Sequence, residues 1–482
     1  MDSQKRQLVK DYIKKQMERG DNRASEYILD AQGKRNPNRD CFLTLKKYLH
    51  DYTQKKGKDP LRFFVLYGLR GTGKTTLLSQ LYGEIYHMKY RLLLSVDEVV
   101  KVMGVALKDV LDVYEEVLGF PFGSLPQPVF LFLDEVHFDD EWAILLKTIY
   151  DRTKNIFFIV TGSSALALQS TPDIARRALF EKIHPMQFTE YIKIRHGVHE
   201  KEGLSQKLRD IVFNSSSATE VYDALQDIES EMREYWSDLE KKDINDIDTY
   251  LGYGTFPFTV VSPGEMSAYE QISEILDKVV NIDIPHIEEF STDTISKIPE
   301  LLYTLAASDQ CDTVNLSKST GISRPTLSSI LKTLEKTEIV WRVRPHGQPH
   351  KQVRKPSKYL FTSPAFRSMY FNLIESVPNQ GVLKGRMLED AVGLSLRRLF
   401  SERPGFSVTY DSSKGGADFI VRRGEKIFII EVGYGHKNMG QVIQTMGKIQ
   451  QYSYGIIISE NPLNIDHDNN IVWVPIRYFL LI

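Results

Sequence analysis

The chain has 482 residues, 42% of them hydrophobic and 26% charged, with a formal net charge of −2. That length exceeds what one compact core organises and implies three or four domains. The near-neutral balance excludes a wholly basic nucleic-acid binder, and two cysteines (Cys41 and Cys311) exclude a disulfide framework or a cysteine-built zinc site. No apolar run approaches the roughly 18 residues of a membrane span. The start, Met1-Asp2-Ser3-Gln4-Lys5-Arg6, lacks the apolar centre of a signal peptide. A cytoplasmic protein with no membrane partner is expected. Charge is unevenly spread: residues 200–248 hold 14 acidic against 6 basic side chains, whereas residues 342–358 hold six Lys/Arg, two His and no acid.

In chain order, residues 1–60 read as an N-terminal helical segment, with amphipathic helices near 5–19 and 41–54. Residues 61–195 alternate apolar runs with helical patterns. Strands are predicted at 62–67, 90–96, 129–133 and 156–161. Runs apolar on both faces and separated by helices indicate a parallel sheet covered on both sides. The acidic stretch reads as a helical lid or insertion within 196–290. A winged helix follows over 291–362, and mixed α/β structure over 363–482.

Gly68-Leu69-Arg70-Gly71-Thr72-Gly73-Lys74-Thr75 follows an apolar strand and opens a helix, the context that the G-x-x-x-x-G-K-[ST] phosphate loop requires. Its glycines let successive N–H groups point at phosphate, and the helix N-terminus adds partial positive charge. Lys74 would meet the β- and γ-phosphates, the Thr75 hydroxyl would ligate Mg²⁺, and Thr76 extends the binding segment. Val129-Phe130-Leu131-Phe132-Leu133 ends in Asp134-Glu135, the Walker B arrangement. Asp134 would hold the Mg²⁺ shell and Glu135 would polarise the attacking water. Thr161 and Ser163, at the end of the fourth strand, are candidate γ-phosphate sensors. Arg177, with Arg176 beside it, is a candidate arginine finger, in cis or across a homo-oligomer. No Asn-Lys-x-Asp guanine signature is present, so ATP is the expected nucleotide.

With these motifs the chain resembles the prokaryotic AAA-type ATPases that carry a C-terminal domain of unknown function with a restriction-endonuclease-like fold. The resemblance also rests on Trp142 with Leu146-Lys147, Thr161-Gly162-Ser163-Ser164, and Arg177 ahead of Pro185-Met186-Gln187-Phe188-Thr189-Glu190-Tyr191. Gly254-Thr255-Phe256-Pro257 and Arg354-Lys355-Pro356-Ser357-Lys358-Tyr359 complete it. It covers residue 40 or so to the end and fits least well across the acidic insert. It implies ATP binding, a winged helix and a nuclease-like α/β C-terminal domain.

In the winged-helix stretch, Ser323 suits an N-cap and Pro325 a first turn. Leu327, Ile330, Leu331 and Leu334 recur at helical spacing and would face the core. Arg324, Thr326, Ser329 and Lys332 lie on the other face. With Arg342, Arg344, Lys351, Arg354 and Lys355 of the basic stretch, Arg324 and Lys332 form the expected DNA surface. Further on, Asp418 and Glu431 fall on neighbouring predicted strands and Glu389 on a preceding helix, so the three could share a divalent ion. The nuclease pattern Glu-x-Lys is broken here as Glu431-Val432-Gly433, although Lys437 could fold back from the loop 433–438 to substitute. The reading is an α/β multidomain ATPase that couples nucleotide state to DNA through a winged helix and a degenerate nuclease-like domain. Its alternatives are a non-catalytic nucleotide switch acting on a protein partner and an ATP-gated metal-dependent nuclease.

Overall fold

The computed structural model describes residues 1–56, 60–162, 172–201, 203–307, 313–348, 352, 355–373, 380–401 and 404–482. The chain divides into two compact units, Met1–His184 and Pro185–Ile482.

In the first unit, β1 (Phe63–Tyr67), β2 (Arg91–Ser95), β3 (Val129–Asp134), β4 (Ile156–Gly162) and β5 (Leu179–Lys182) form one parallel sheet. Its order is β2-β3-β4-β1-β5. Strand alternation sorts the apolar side chains into two cores. Phe63, Val65, Leu131 and Leu133 face one cluster, and Phe64, Leu66, Phe130 and Phe132 the other. The first is closed by the N-terminal half of α1 (Ser3–Ile28), by α4 (Leu107–Leu118) and by α5 (Trp142–Arg152). The second is closed by α2 (Phe42–Thr53) and α3 (Lys74–Gly83). Both N-terminal helices are therefore built into this unit's core. β5 is an addition to the strands the sequence predicts, because a half-buried edge strand lacks the continuous apolar run of its neighbours.

Helix α1 runs past the expected end near Arg19 as far as Ile28. Gly20 lies inside it, where glycine costs about 0.5–1 kcal/mol relative to alanine. The buried Tyr82 ring needs that gap: a Cβ on Gly20 would lie 2.2 Å from the Tyr82 hydroxyl.

The second unit begins with helices and ends with a sheet. The acidic helices Leu204–Asn214, Ala218–Asp227 and Glu229–Glu240 occupy the stretch expected to form a lid. The first of them docks on C-terminal strands instead. Tyr454 Oη donates to the Val212 carbonyl at 2.7 Å, Arg423 donates to the Phe213 carbonyl at 3.1 Å, and the Phe213 ring meets Phe428 edge-on at 5.7 Å.

Three helices follow: α6 (Ile298–Ala307), α7 (Thr313–Thr320) and α8 (Arg324–Lys336). Ser323 caps α8 through the Thr326 N–H, and Leu327, Ile330, Leu331 and Leu334 are buried. The antiparallel pair β6 (Val340–Pro345) and β7 (Lys358–Phe361) comes next. Beyond α9 (Gln380–Phe400) lie β8 (Phe406–Tyr410), β9 (Phe419–Arg423), β10 (Lys426–Val432), β11 (Tyr454–Ser459), β12 (Asn464–Asp466) and β13 (Ile471–Pro475). The hairpin also joins a larger sheet. β6 pairs with β8 through Arg344↔Thr409 and Pro345↔Tyr410, giving one eight-stranded sheet, β12-β13-β11-β10-β9-β8-β6-β7. Among the described residues no helix is long and apolar enough to cross a membrane.

Tyr454→Phe removes the donor to the buried Val212 carbonyl. It is expected to cost about 1–3 kcal/mol in chemical denaturation, and to speed hydrogen exchange in Leu204–Asn214 without affecting the first unit.

Candidate functional site

The loop between β1 and α3 owes its shape to three glycines with positive φ: Gly68 at 143°, Gly71 at 79° and Gly73 at 87°. Gly68 also has no room for a side chain, since a Cβ there would lie 2.4 Å from the Ile183 carbonyl oxygen. That carbonyl is held in place because Ile183 N–H donates to Tyr67 O at 2.7 Å. Gly73 is the N-cap of α3, whose first-turn N–H groups have no intrahelical acceptors. The Lys74 ammonium is folded onto the loop, donating to the carbonyls of Gly68 and Leu69 at 2.9 Å each. Thr72 Oγ1 donates to Leu69 O at 2.8 Å.

The carboxyl ends of β3 and β4 meet this loop. Thr75 Oγ1 donates to Asp134 Oδ2 at 2.9 Å, and Thr161 Oγ1 donates to Asp134 Oδ1. Thr161 Oγ1 in turn accepts the Glu135 N–H at 3.0 Å. The Asp134 carboxyl is pushed up to about 6, first by burial and then by the Glu135 charge, against the two hydroxyl hydrogen bonds. Glu135 adopts φ 55°, a left-handed conformation that is strained for a side-chain-bearing residue. Its Oε2 is buried and makes no hydrogen bond, with His137 Nδ1 3.3 Å away. Magnesium with a nucleotide fits this donor set. A threonine hydroxyl and a carboxylate stand together at the mouth of a glycine cradle, next to a carboxylate oxygen still lacking a donor.

The structure thus brings Gly68, Leu69, Arg70, Gly71, Thr72, Gly73, Lys74, Thr75, Thr76, Asp134, Glu135 and Thr161 into one site. Ser163 lies outside the described residues. Arg177 is engaged elsewhere, forming a two-pronged pair with Asp151 at 2.7 and 3.0 Å. Two neighbours escaped the sequence reading. Arg39 is buried and donates to the Thr72 carbonyl of the loop and to the His184 carbonyl. His137 stands beside Glu135. Neither belongs to a motif, and only tertiary packing reveals them.

In the second unit the expected DNA residues divide. Arg324, Lys332, Arg344 and Lys355 are exposed. Arg342 is half-buried and donates to Ser357 Oγ at 2.9 Å. Lys351 and Arg354 lie outside the described residues. The Ser329 hydroxyl donates to the Glu288 carboxylate, as does Thr333 Oγ1 at 3.1 Å. Thr326 is spent on the helix cap with Ser323.

The three C-terminal carboxylates are close to one another, but not as a metal shell. Lys358, counted in sequence as part of the basic stretch, is buried and contacts Glu389 Oε1 and Asp418 Oδ1. Lys437 Nζ donates to Glu431 Oε1 at 2.7 Å. Burial, and then the Asp418 charge, raise Glu431; burial also raises Glu389, against the pull of Lys358. Burial pulls Lys358 down, yet Asp418 and Glu389 together hold it above its ordinary value. Among the described residues no group of three metal-ligating side chains gathers. The Lys358 ammonium lies between Glu389 and Asp418, two of the three residues expected to share an ion.

Residues 61–192 match a family described as an AAA domain, and residues 244–375 match a domain of unknown function, DUF8612. Over 446 residues the chain is 33% identical to the uncharacterized protein MJ1637 of Methanocaldococcus jannaschii, covering 91% of this chain and 88% of that one. The chain belongs to that protein's family. It is also 23% identical over 347 residues to the uncharacterized protein MJ1544 of the same organism, covering 70% and 67% of the two chains. Among solved structures, the ORC1 protein of Aeropyrum pernix in complex with DNA aligns over 69% of this chain and 91% of its own. At 13% identity and a TM-score of 0.29, that likeness is too loose to carry function. An AAA-type P-loop domain is present, and its phosphate loop, Asp134 and Glu135 all fall within the matched residues.

Gly68→Ala is expected to weaken binding of a fluorescent ATP analogue by about tenfold or more, a loss of ~1.4 kcal/mol, because the Ile183 carbonyl leaves no space for the methyl group. Equilibrium titration against wild type reads the effect.

Proposed function

We propose that the chain is an ATPase that binds ATP with Mg²⁺ in its first unit and uses the nucleotide state to govern the second. The observation that carries this reading is the hydrogen-bonded relay Thr75–Asp134–Thr161–Glu135, which closes on the phosphate loop. When bound, Mg²⁺ neutralises phosphate charge and orients the terminal phosphate. The rest falls to the chain's own residues. Lys74 exchanges the Gly68 and Leu69 carbonyls for phosphate oxygens, and Thr75 with Asp134 supplies the metal-facing oxygens. Thr161 holds Asp134 and the Glu135 backbone in register. Glu135, with a buried oxygen still lacking a donor, accepts the proton of the attacking water.

Arg177 remains a proposal for the γ-phosphate in a neighbouring copy. The role requires Arg177 to leave Asp151 and requires a homo-oligomer. Three helices followed by a hairpin support a winged-helix reading for residues 291–362. Exposed Arg324, Lys332, Arg344 and Lys355 support DNA as the partner of that module. The Glu288 carboxylate against α8 favours a second reading, in which that face meets a protein.

Wild type is expected to release phosphate from ATP at steady state. Lys74→Ala should lose binding, and Glu135→Gln should retain ATP while kcat falls about 10²–10⁴-fold. Binding without turnover in wild type would leave only a nucleotide switch.

DNA affinity is expected to fall as salt rises, and the double change Arg344→Ala with Lys355→Ala to flatten the log–log slope by about 1 per lost phosphate contact. Salt-independent or absent binding would favour the protein-partner reading.

A further inference from the structure

The carboxylates of the C-terminal sheet stand where an endonuclease-like fold would bind a divalent ion, yet two ammonium groups are already among them. Lys358 reaches in from the first position of β7. Its Nζ lies 2.9 Å from Asp418 Oδ1 and also contacts Glu389 Oε1. The residue is 5% exposed, and its ammonium is walled by the Tyr410 and Phe419 rings, with centroids 5.9 and 5.5 Å away. Asp418 Oδ2 accepts the Val432 N–H at 3.0 Å, which fixes the carboxylate with Oδ1 toward the ammonium. A hard divalent ion needs about six oxygen ligands, usually including water, and an ammonium lodged between two of the carboxylates blocks that shell.

Lys437 closes the other side. Its ammonium holds Glu431 Oε1, and its stem fills the space beside Gly433. A Cβ built on Gly433 would lie 2.0 Å from Lys437 Cε and 2.7 Å from Cγ. Glycine at 433 is therefore what lets Lys437 lie across the strand end. Glu431 Oε2 stays buried without a hydrogen bond.

We propose that Lys358 is the resident cation of this cluster, so that the C-terminal domain is metal-free and does not cleave phosphodiesters. The ammonium does the charge-neutralising work a divalent ion would do, and it does so from the hairpin that follows α8. The same contacts fasten β7 to α9 and to the segment leading into β9. The hairpin and the C-terminal sheet are thereby tied through charge as well as through strand pairing. The inference is independent of the ATPase reading.

The test is Mn²⁺ binding to the full-length, nucleotide-free chain, followed by electron paramagnetic resonance. Asp418→Asn is expected to leave wild-type Mn²⁺ binding unchanged, because Asp418 binds no ion in the native protein. Lys358→Met is expected to gain a Mn²⁺ site that wild type lacks, and Asp418→Asn in that background should abolish it. Wild-type Mn²⁺ binding that disappears in Asp418→Asn would overturn the proposal, as would a folded Lys358→Met chain with no gain. If Lys358→Met does not fold, the comparison of wild type with Asp418→Asn decides alone: equal binding supports the proposal and loss of binding refutes it.

Discussion

The nucleotide unit depends on one half-buried carboxylate. Asp134 ends an apolar strand, where an unpaired charge would be costly, and it is held there by hydroxyls from two other elements. Thr75 comes from the helix after the phosphate loop and Thr161 from the adjacent strand. Three separate segments must therefore converge for Asp134 to be tolerated, and their convergence assembles the site. Glu135 follows from the same constraint. Its N–H is fastened to Thr161 while its left-handed backbone leaves one carboxylate oxygen buried and waiting.

The C-terminal sheet faces the same difficulty and meets it differently. Three carboxylates lie near one another, and hydroxyls are replaced by the ammonium groups of Lys358 and Lys437. In the first unit the hydroxyls leave Asp134 able to turn toward a cation, since a neutral donor can be exchanged for a metal ligand. In the second, a buried Lys358 ammonium and a half-buried Lys437 ammonium pair with the carboxylates.

The sequence made the phosphate loop and the acidic strand end legible because both are local. Their residues lie within a few positions of one another, and the chemistry dictates the spacing. The helix α8 was legible for the same reason, from its Ser323 cap to its Leu327–Leu334 stripe. Residues whose roles depend on distant partners were not. Arg39 acts on Thr72 and on His184 O, far apart in the chain. β5 is an edge strand whose place is set by pairing with β1. Lys358 counted as a surface charge because five neighbouring cations share its segment. Only its place at the start of the apolar Tyr359-Leu360-Phe361 run hinted at burial. Ser329 fell on the outer face of its helix, and nothing local pointed to Glu288, 41 residues away, as the partner of its hydroxyl. The acidic stretch was correctly helical, but charge alone could not say that its first helix docks on the C-terminal sheet.

The central claim is that the threonine-held carboxylates organise chemistry rather than binding. Single-turnover hydrolysis of ATP by Thr161→Val tests it most directly, since the change removes the hydroxyl that joins Asp134 to Glu135 and keeps the side chain's shape. The account predicts ATP affinity within a few-fold of wild type and a chemical step slowed by about 10²-fold or more. A variant that hydrolyses bound ATP at the wild-type rate would contradict it.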